Sequence, residues 1–228
     1  MQLTKQKGFT LVEIAIVLVI VGLLIGGVLK GQEMITNAKL KRIESDNAGI
    51  AAAMFSYQDR YLQLPGDDSD ASGRFDVYSP GGVEDLNVNG GGDGLIGDGT
   101  DWAANNGILI VGASAETEKF FGHMRAAGLI PGGSGYETTR PSNAYGGQIG
   151  IQDGSLSMTG HVTIFGQIEG SIARILESRL DDNNRASGRM RGNVRAAGSM
   201  DHNVVLDPTP GADDVYLEAD RYDLAFRL

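Results

Sequence analysis

The stretch FTLVEIAIVLVIVGLLIGGVL, residues 9 to 29, decides the architecture of this chain, and its only charged side chain is Glu13. As an α-helix rising 1.5 Å per residue it would be roughly 30 Å long, the thickness of the hydrocarbon core of a bilayer. The sequence therefore predicts a membrane-spanning helix over residues 9 to 31.

A short basic leader precedes this helix. Residues 1 to 8 read MQLTKQKG, and Lys5 and Lys7 favour the cytoplasmic side of a membrane for this end. A secretory signal peptide would have small residues of the A-x-A kind after its apolar run, whereas Lys30 and a helical pattern follow here. The segment is then either a simple single-pass anchor or a more specialised N-terminus.

Glu13 favours the specialised N-terminus. A carboxylate one turn into a membrane helix is costly unless it lies near the interface or has a partner. Cleavage between Gly8 and Phe9 would create an α-amino group on Phe9, and this cation would neutralise Glu13 of a neighbouring helix at the same depth. Such a charge pair would set the axial register between associating copies.

Gly22 and Gly26 have the G-x-x-x-G spacing that lets two membrane helices approach closely. We predict that they contribute to helix packing. The alternative is that glycine is simply common in membrane helices.

The helix is predicted to continue as an amphipathic segment over residues 32 to 64. Apolar side chains recur there every three or four residues, and one polar residue, Asn47, shares their face. Pro65-Gly66 ends the pattern because proline cannot continue a helix. The face consists of Leu40, Ile43, Asn47, Ile50, Met54, Tyr57 and Tyr61.

Residues 65 to 228 hold most of the 34 glycines and predict a loop-rich α+β domain. We expect a long N-terminal helix packed on a small antiparallel sheet. After a long loop that follows Pro65, periodicity predicts helices at 115–127 and 168–179, and strands at 147–151, 155–159, 161–165 and 221–228.

Charge and composition exclude several functions. The formal charge is −10, and loss of Lys5 and Lys7 with the leader would reduce the basic side chains from 19 to 17 against 29 acidic ones. This surface would repel a phosphate backbone, so no nucleic-acid partner is expected. There is no cysteine, and no motif of a catalytic site is present. The chain is predicted not to be an enzyme, and its three separated histidines are predicted to be surface or hydrogen-bonded side chains.

The run Asp85-Leu-Asn87-Val-Asn89-Gly90 matches the beginning of a calcium-binding loop, in which oxygen ligands alternate along the chain. The candidate ligands are Asp85, Asn87, Asn89, Asp93 and Asp98. Ile96 stands where such a loop usually has glutamate, and the alternative is a solvated turn. Calcium is the one cofactor suggested, and none is required.

Asp67, Asp68 and Asp70 form a second acidic cluster, directly after the long helix. Unpaired acids are unfavourable at a helix C-terminus, which already carries partial negative charge. A bound cation is one interpretation. Solvated loop acids are the interpretation we favour.

The N-terminal residues KQKG-FTLVEIAIVLVIVGLL resemble the signal of type IV prepilins and type II secretion pseudopilins. The resemblance implies cleavage after Gly8 by a membrane-embedded prepilin peptidase, methylation of Phe9, and a role in assembly for Glu13. One departure is Lys30, near which many major pilins have a proline.

The resemblance implies a structural subunit of a type IV pilus or pseudopilus. Its partners would be itself, other pilins, the prepilin peptidase and an inner-membrane assembly platform. The chain would span the bacterial inner membrane once with its globular domain in the periplasm, and then enter the filament. The alternative is a membrane-tethered, non-polymerising module that binds calcium or another ligand.

Overall fold

The structure is a computed structural model that describes residues 10–75, 89–97, 116–132, 140–195 and 215–228. The chain divides into two compact units, Met1–Lys41 and Arg42–Leu228. Helix α1 runs from Leu11 to Tyr61 and so belongs to both. The second unit also contains α2 (Ala71–Arg74), α3 (Glu116–Ala126), β1 (Ile149–Ser155), β2 (Met158–Glu169), α4 (Gly170–Leu180), β3 (Met190–Arg195) and β4 (Arg221–Arg227).

In the first unit, α1 presents an apolar surface to its surroundings. The large apolar side chains from Leu11 to Leu29 are 42–87% exposed. The most apolar 18-residue window has a mean hydropathy of 2.8, and none of it is buried. Among the described residues, α1 is the one helix long and apolar enough to cross a membrane. The candidate membrane helix is thus present, and the boundaries predicted at residues 31 and 64 stay predictions.

In the second unit, α1 has the predicted amphipathic face. Ile43, Met54 and Tyr57 are buried. Asn47, the polar member of this face, accepts a hydrogen bond from the Thr163 hydroxyl of the sheet. The helix ends at Tyr61, before the proline, because Leu62 adopts the left-handed conformation with φ 56°.

The second unit contains a four-stranded antiparallel sheet in the order β1-β2-β4-β3. The α+β layout, with a long N-terminal helix and an antiparallel sheet, is therefore confirmed. β4 lies between β2 and β3, and its residues Tyr222 to Phe226 are all buried. The strand predicted at 221–228 is confirmed.

The division of the first two strands was predicted wrongly. Residues 155–159 and 161–165 are not separate strands, because Ser155 pairs with Met158 across a two-residue hairpin and β2 continues to Glu169. The hairpin residues Leu156 and Ser157 have φ 50° and 61°. Positive φ at both positions is typical of a type I′ turn, which usually contains Asn or Gly, and Leu156-Ser157 therefore lacks the usual turn signal.

The predicted helix at 115–127 is confirmed as α3. It ends in a Schellman motif, in which Leu129 N–H donates to Met124 O and Gly128 N–H to Arg125 O, both at 2.9 Å. Gly128 has φ 69°, which explains glycine at this position. The predicted helix at 168–179 is α4, which begins later because Ile168 still pairs with Tyr222 in the sheet.

Candidate functional site

The N-terminal site residues are partly described. Gly8 and Phe9 lie outside the described residues, whereas Glu13 lies in the first turn of α1. Thr10 N–H and the Thr10 hydroxyl donate to Glu13 Oε2 at 2.8 and 2.7 Å. Glu13 N–H donates to Thr10 Oγ1 at 3.3 Å. These reciprocal bonds form a capping box with Thr10 as N-cap.

The capping box gives Glu13 a partner within its own helix. The predicted partner, the amino group of a neighbouring copy, belongs to the assembled state and stays a prediction. Sequence reasoning missed the capping box, although T-x-x-E before an apolar run is its usual signal.

Gly22 and Gly26 lie on the exposed surface of α1. A Cβ atom at either position would meet no atom within 4 Å. Within the described protomer they are therefore open positions, and their predicted role in packing against another helix is not tested.

Of the predicted calcium ligands, Asn89 and Asp93 are described, and Asp85, Asn87 and Asp98 lie outside the described residues. The amide oxygen of Asn89 accepts the N–H of Ser72 at 2.8 Å, in the first turn of α2. Asp93 Oδ1 accepts the N–H of Leu95 at 3.0 Å. Both side chains thus act as acceptors within the protein.

Asp67 organises the same loop from the other side. Its side chain is buried, and Oδ1 accepts backbone N–H groups from Gly92 at 2.5 Å and Asp93 at 3.0 Å. Oδ2 accepts the N–H of Gly94 at 2.8 Å. The interpretation of Asp67 as a solvated loop acid was wrong, because the 92–94 backbone folds around this carboxylate and shields it from water.

Glu116, at the start of α3, completes the anchoring. Its two oxygens accept the N–H groups of Gly91 and Gly97 at 2.6 and 3.0 Å. Carboxylate oxygens of Asp67, Asp93 and Glu116 lie within 4.8 Å of one another. The oxygens of Asp67 and Glu116 are already used by backbone amides, so they give no specific support for calcium in this loop, and calcium there stays a prediction.

Asp68 and His123 are buried structural groups. Asp68 accepts the Tyr57 hydroxyl at 2.6 Å and lies 3.2 Å from Arg74 Nε, so it also is not the solvated acid that we expected. His123 Nδ1 accepts the N–H of Gly66 at 2.9 Å. The prediction of a hydrogen-bonded histidine is confirmed for His123.

A second carboxylate cluster lies at the C-terminal end of α4, and sequence reasoning missed it. Glu177 is 1% exposed, whereas Ile175 of the same helix, an apolar residue, is 37% exposed. Carboxylate oxygens of Glu177, Asp181 and Asp182 lie within 4.8 Å of one another. The available signal was the spacing E-x-x-x-D-D, since residues four apart share a helix face.

Neighbouring groups set the protonation of this cluster. Burial raises the pKa of Glu177 to about 7, and the negative charges of Asp181 and Asp182 add to the rise. The Tyr216 hydroxyl donates to Glu177 Oε2 at 2.8 Å, which opposes the rise. Hydrogen bonds from Ser187 and the Asn184 N–H lower the pKa of Asp182. Glu177 therefore carries a proton for part of the time at neutral pH, whereas Asp182 is ionised.

A groove of about 400 Å³ lies between α1 and α3 within the second unit. Its charged groups are Arg42, Asp46 and Arg125. Its apolar lining comes from Ile50, Phe121, Leu129, Ile130, Pro131, Pro141 and Ile149. Such a mixed lining is typical of a ligand- or peptide-binding groove.

Comparison with known families gives one match. The model described as the prokaryotic N-terminal methylation motif matches residues 3–29, and this motif is the prepilin-type signal of type IV pilins and pseudopilins. No curated protein and no solved structure matches the chain significantly. The motif supports a precursor of the type IV pilin or pseudopilin type, and this class is structural and generally non-enzymatic. With the apolar N-terminal helix, it also fits a membrane-anchored protein.

Proposed function

We propose that this chain is a structural subunit of a type IV pilus or pseudopilus. A prepilin peptidase cuts it after Gly8 and methylates Phe9, and the mature protein assembles with other copies or other pilins through α1. The globular domain faces the periplasm before assembly, and a platform in the inner membrane receives the subunit.

The observation that carries this proposal is the exposed apolar surface of α1 within the matched motif. The side chains from Leu11 to Leu29 find no cover in their own chain among the described residues. A bilayer covers them before assembly, and neighbouring helices cover them in a filament. An ordinary anchor would need only the first of these, and glutamine could then cap the helix in place of Glu13 without the cost of a charge in the membrane.

The capping box supports a two-state role for Glu13. In the single protomer, its carboxylate accepts the N–H and the hydroxyl of Thr10. In the filament, it pairs instead with the α-amino group of Phe9 on an adjacent copy. The exchange lets an acid remain partnered in the membrane and still define the register between subunits.

The direct test is the mass of the N-terminus of the protein recovered from surface or periplasmic filaments. We expect a chain that begins at a methylated Phe9. Recovery of a chain that still begins at Met1, in monomers only, would contradict both cleavage and assembly.

The second candidate is a membrane-tethered binding module that does not polymerise, and the groove between α1 and α3 is the observation that favours it. The two functions differ in whether copies of the chain associate, and only association would use the charge of Glu13. Crosslinking of the wild-type protein in whole cells should yield a ladder of oligomers for a subunit and a single band for a module.

A further inference from the structure

The carboxylate cluster at the end of α4 contains an acceptor that its surroundings do not use. Glu177 is almost fully buried, yet its Oε1 atom has no hydrogen-bond partner among the described residues. In the loop around Asp67, by contrast, both oxygens of the two anchoring acids accept backbone N–H groups. A buried carboxylate oxygen without a donor is costly, which indicates that a partner of another kind belongs here.

The charges of the cluster point to a cation. Glu177, Asp181 and Asp182 bring carboxylate oxygens within 4.8 Å of one another. In the part of the chain that the structure describes, none of the three forms a salt bridge with lysine or arginine. The nearby Arg185 and Arg191 donate to backbone oxygens, of Gly192 and Leu156. The charge of Arg191 contributes to lowering the pKa of Asp182, but Arg191 forms no salt bridge with it. Like charges at this separation repel one another unless a proton or a cation is bound.

We propose that Glu177, Asp181 and Asp182 form a binding site for a hard divalent cation of the size of calcium. Calcium binds oxygen ligands at about 2.3–2.6 Å, so ligands on opposite sides of the ion lie roughly 5 Å apart. The observed separations already satisfy this limit. All three ligands are carboxylates, which a hard cation prefers over nitrogen or sulfur donors.

Each acid has coordination capacity left. Asp181 uses Oδ2 to accept the N–H of Met190 at 2.5 Å, and its other oxygen accepts no hydrogen bond among the described residues. The oxygens of Asp182 accept one donor each, from Asn184 and Ser187, and a carboxylate oxygen has two lone pairs. Asp182 is exposed, so solvent reaches the site and water completes the coordination.

The ion would join three segments of the domain. Asp181 is bonded to the first residue of β3, Asp182 to the turn that precedes this strand, and Glu177 to Tyr216, which lies shortly before β4. A cation at their meeting point stabilises the end of α4 against the β3-β4 edge of the sheet. This is a structural role that disulfides fill in other exported domains, and this chain has no cysteine.

The test is thermal unfolding of the full-length protein in detergent micelles, with a chelator, with millimolar calcium and with magnesium. We expect the melting temperature to rise by roughly 5 to 10 °C at a calcium concentration of about 100 times Kd. Glu177→Gln and Asp182→Asn should each abolish most of the rise. In chelator, the melting temperature of Glu177→Gln should be no lower than that of the wild type, because the glutamine side chain places no charge in the buried position.

The matched control is Asp93→Asn, which alters the loop that the sequence predicted to bind calcium. It should retain the full calcium-dependent rise. Loss of the rise in Asp93→Asn with retention in Glu177→Gln would overturn the proposal in favour of that loop, and an equal rise in all variants would reveal only unspecific binding to an acidic surface. Absence of any rise in the wild type would also overturn it.

A direct binding measurement supports the thermal test. Terbium, which occupies calcium sites, emits when a nearby tyrosine is excited, and Tyr216 is bonded to the Glu177 ligand. We expect calcium to displace terbium from the wild type, and Tyr216→Phe to reduce the emission strongly. If Glu177→Gln fails to fold, Asp182→Asn provides the test, because Asp182 is exposed. Terbium emission from Asp182→Asn at the wild-type level would contradict the site.

Discussion

At the scale of single residues, two carboxylates hold the glycine-rich loop of the domain by accepting backbone N–H groups, the buried Asp67 and the partly buried Glu116. Asp67 accepts three such groups, and Glu116 accepts two. Amide dipoles directed at a carboxylate stabilise its charged form and define the path of the backbone around it. A loop without regular secondary structure thereby becomes an ordered part of the domain.

Asp67→Asn should therefore lower the free energy of unfolding by about 2 to 4 kcal/mol, because the amide replaces one acceptor oxygen by a donor that faces a backbone N–H. Urea denaturation of the detergent-solubilised protein measures the change. The control is Asp70→Asn, because the exposed Asp70 side chain accepts no hydrogen bond from the backbone of this loop. Its free energy of unfolding should stay within about 0.5 kcal/mol of the wild type. Equal effects of the two would contradict the role of Asp67.

Gly90 is required for a different reason. A Cβ there would lie 2.3 Å from the backbone oxygen of Gly66 and from the backbone carbon of Asp67. We expect Gly90→Ala to destabilise the domain by about 2 kcal/mol or more, since backbone atoms would have to move. Gly49→Ala is the matched control, because a Cβ at this α1 position meets nothing within 4 Å.

Gly49→Ala should stabilise the protein by about 0.5 to 1 kcal/mol through helix propensity alone. Opposite signs for the two glycine substitutions in one denaturation series would therefore support the close approach at Gly90. Destabilisation by both would mean that the assay reports glycine replacement in general.

The roles of these acids and glycines could not be read from the sequence, because tertiary contacts decide them. Asp67 and Asp70 are both loop aspartates, and only the fold places one under the 92–94 backbone and the other in solvent. Glu177 looked like a polar helix residue, and its burial depends on how α4 turns toward Tyr216. Asn47 could be placed on the buried face by its spacing, but its partner Thr163 lies far along the chain.

At the scale of elements, the start of α1 combines a helix cap with a charge. Glutamine can replace glutamate in a capping box, but it cannot neutralise an amino group. Glu13→Gln thus keeps the local helix start and removes the charge, Thr10→Val removes the hydroxyl of the cap and keeps the charge, and Glu13→Ala removes both functions of Glu13.

We expect Glu13→Gln to impair incorporation into filaments about as strongly as Glu13→Ala, with membrane insertion and cleavage largely retained. Thr10→Val should have the smaller effect. Immunoblots of sheared filaments and of membrane fractions, from cells with the native assembly machinery, measure membrane insertion, cleavage and incorporation. Normal incorporation of Glu13→Gln would show that capping, rather than charge pairing, is what Glu13 supplies.

Periodicity predicted the elements whose apolar side chains recur at a regular spacing, although burial is not confined to one face in α3 and β4, where Thr117 to Met124 and Tyr222 to Phe226 are all buried. The α1 segment after residue 42, α3 and β4 have apolar faces at the expected spacing, and all three are present. β3 was missed because its sequence, MRGNVR, has no alternation, and its register comes from pairing with β4. The short α2 was missed because four residues are too few for a periodic signal.

At the scale of the whole molecule, the chain separates two kinds of surface. The large apolar side chains of α1 from Leu11 to Leu29, in the first unit, are exposed, whereas the second unit buries its own core and carries the two carboxylate clusters found among the described residues. Stability of the second unit and association through the first should therefore be separable by mutation. The motif at residues 3–29 made the association predictable from sequence, and it contains no information about the domain that is attached.

The double substitution Gly22→Ile with Gly26→Ile tests this separation. Both positions are open, so the added side chains should leave the thermal stability of the detergent-solubilised protein within about 1 °C of the wild type, as for other surface changes. In a filament, the same side chains would hold neighbouring helices apart and reduce the yield of sheared filaments severalfold. Val28→Ile, which adds one methylene to another exposed position of α1, is the control and should assemble normally. Normal assembly of the double variant would contradict the packing role of the two glycines, and a large loss of thermal stability would contradict the independence of the two surfaces.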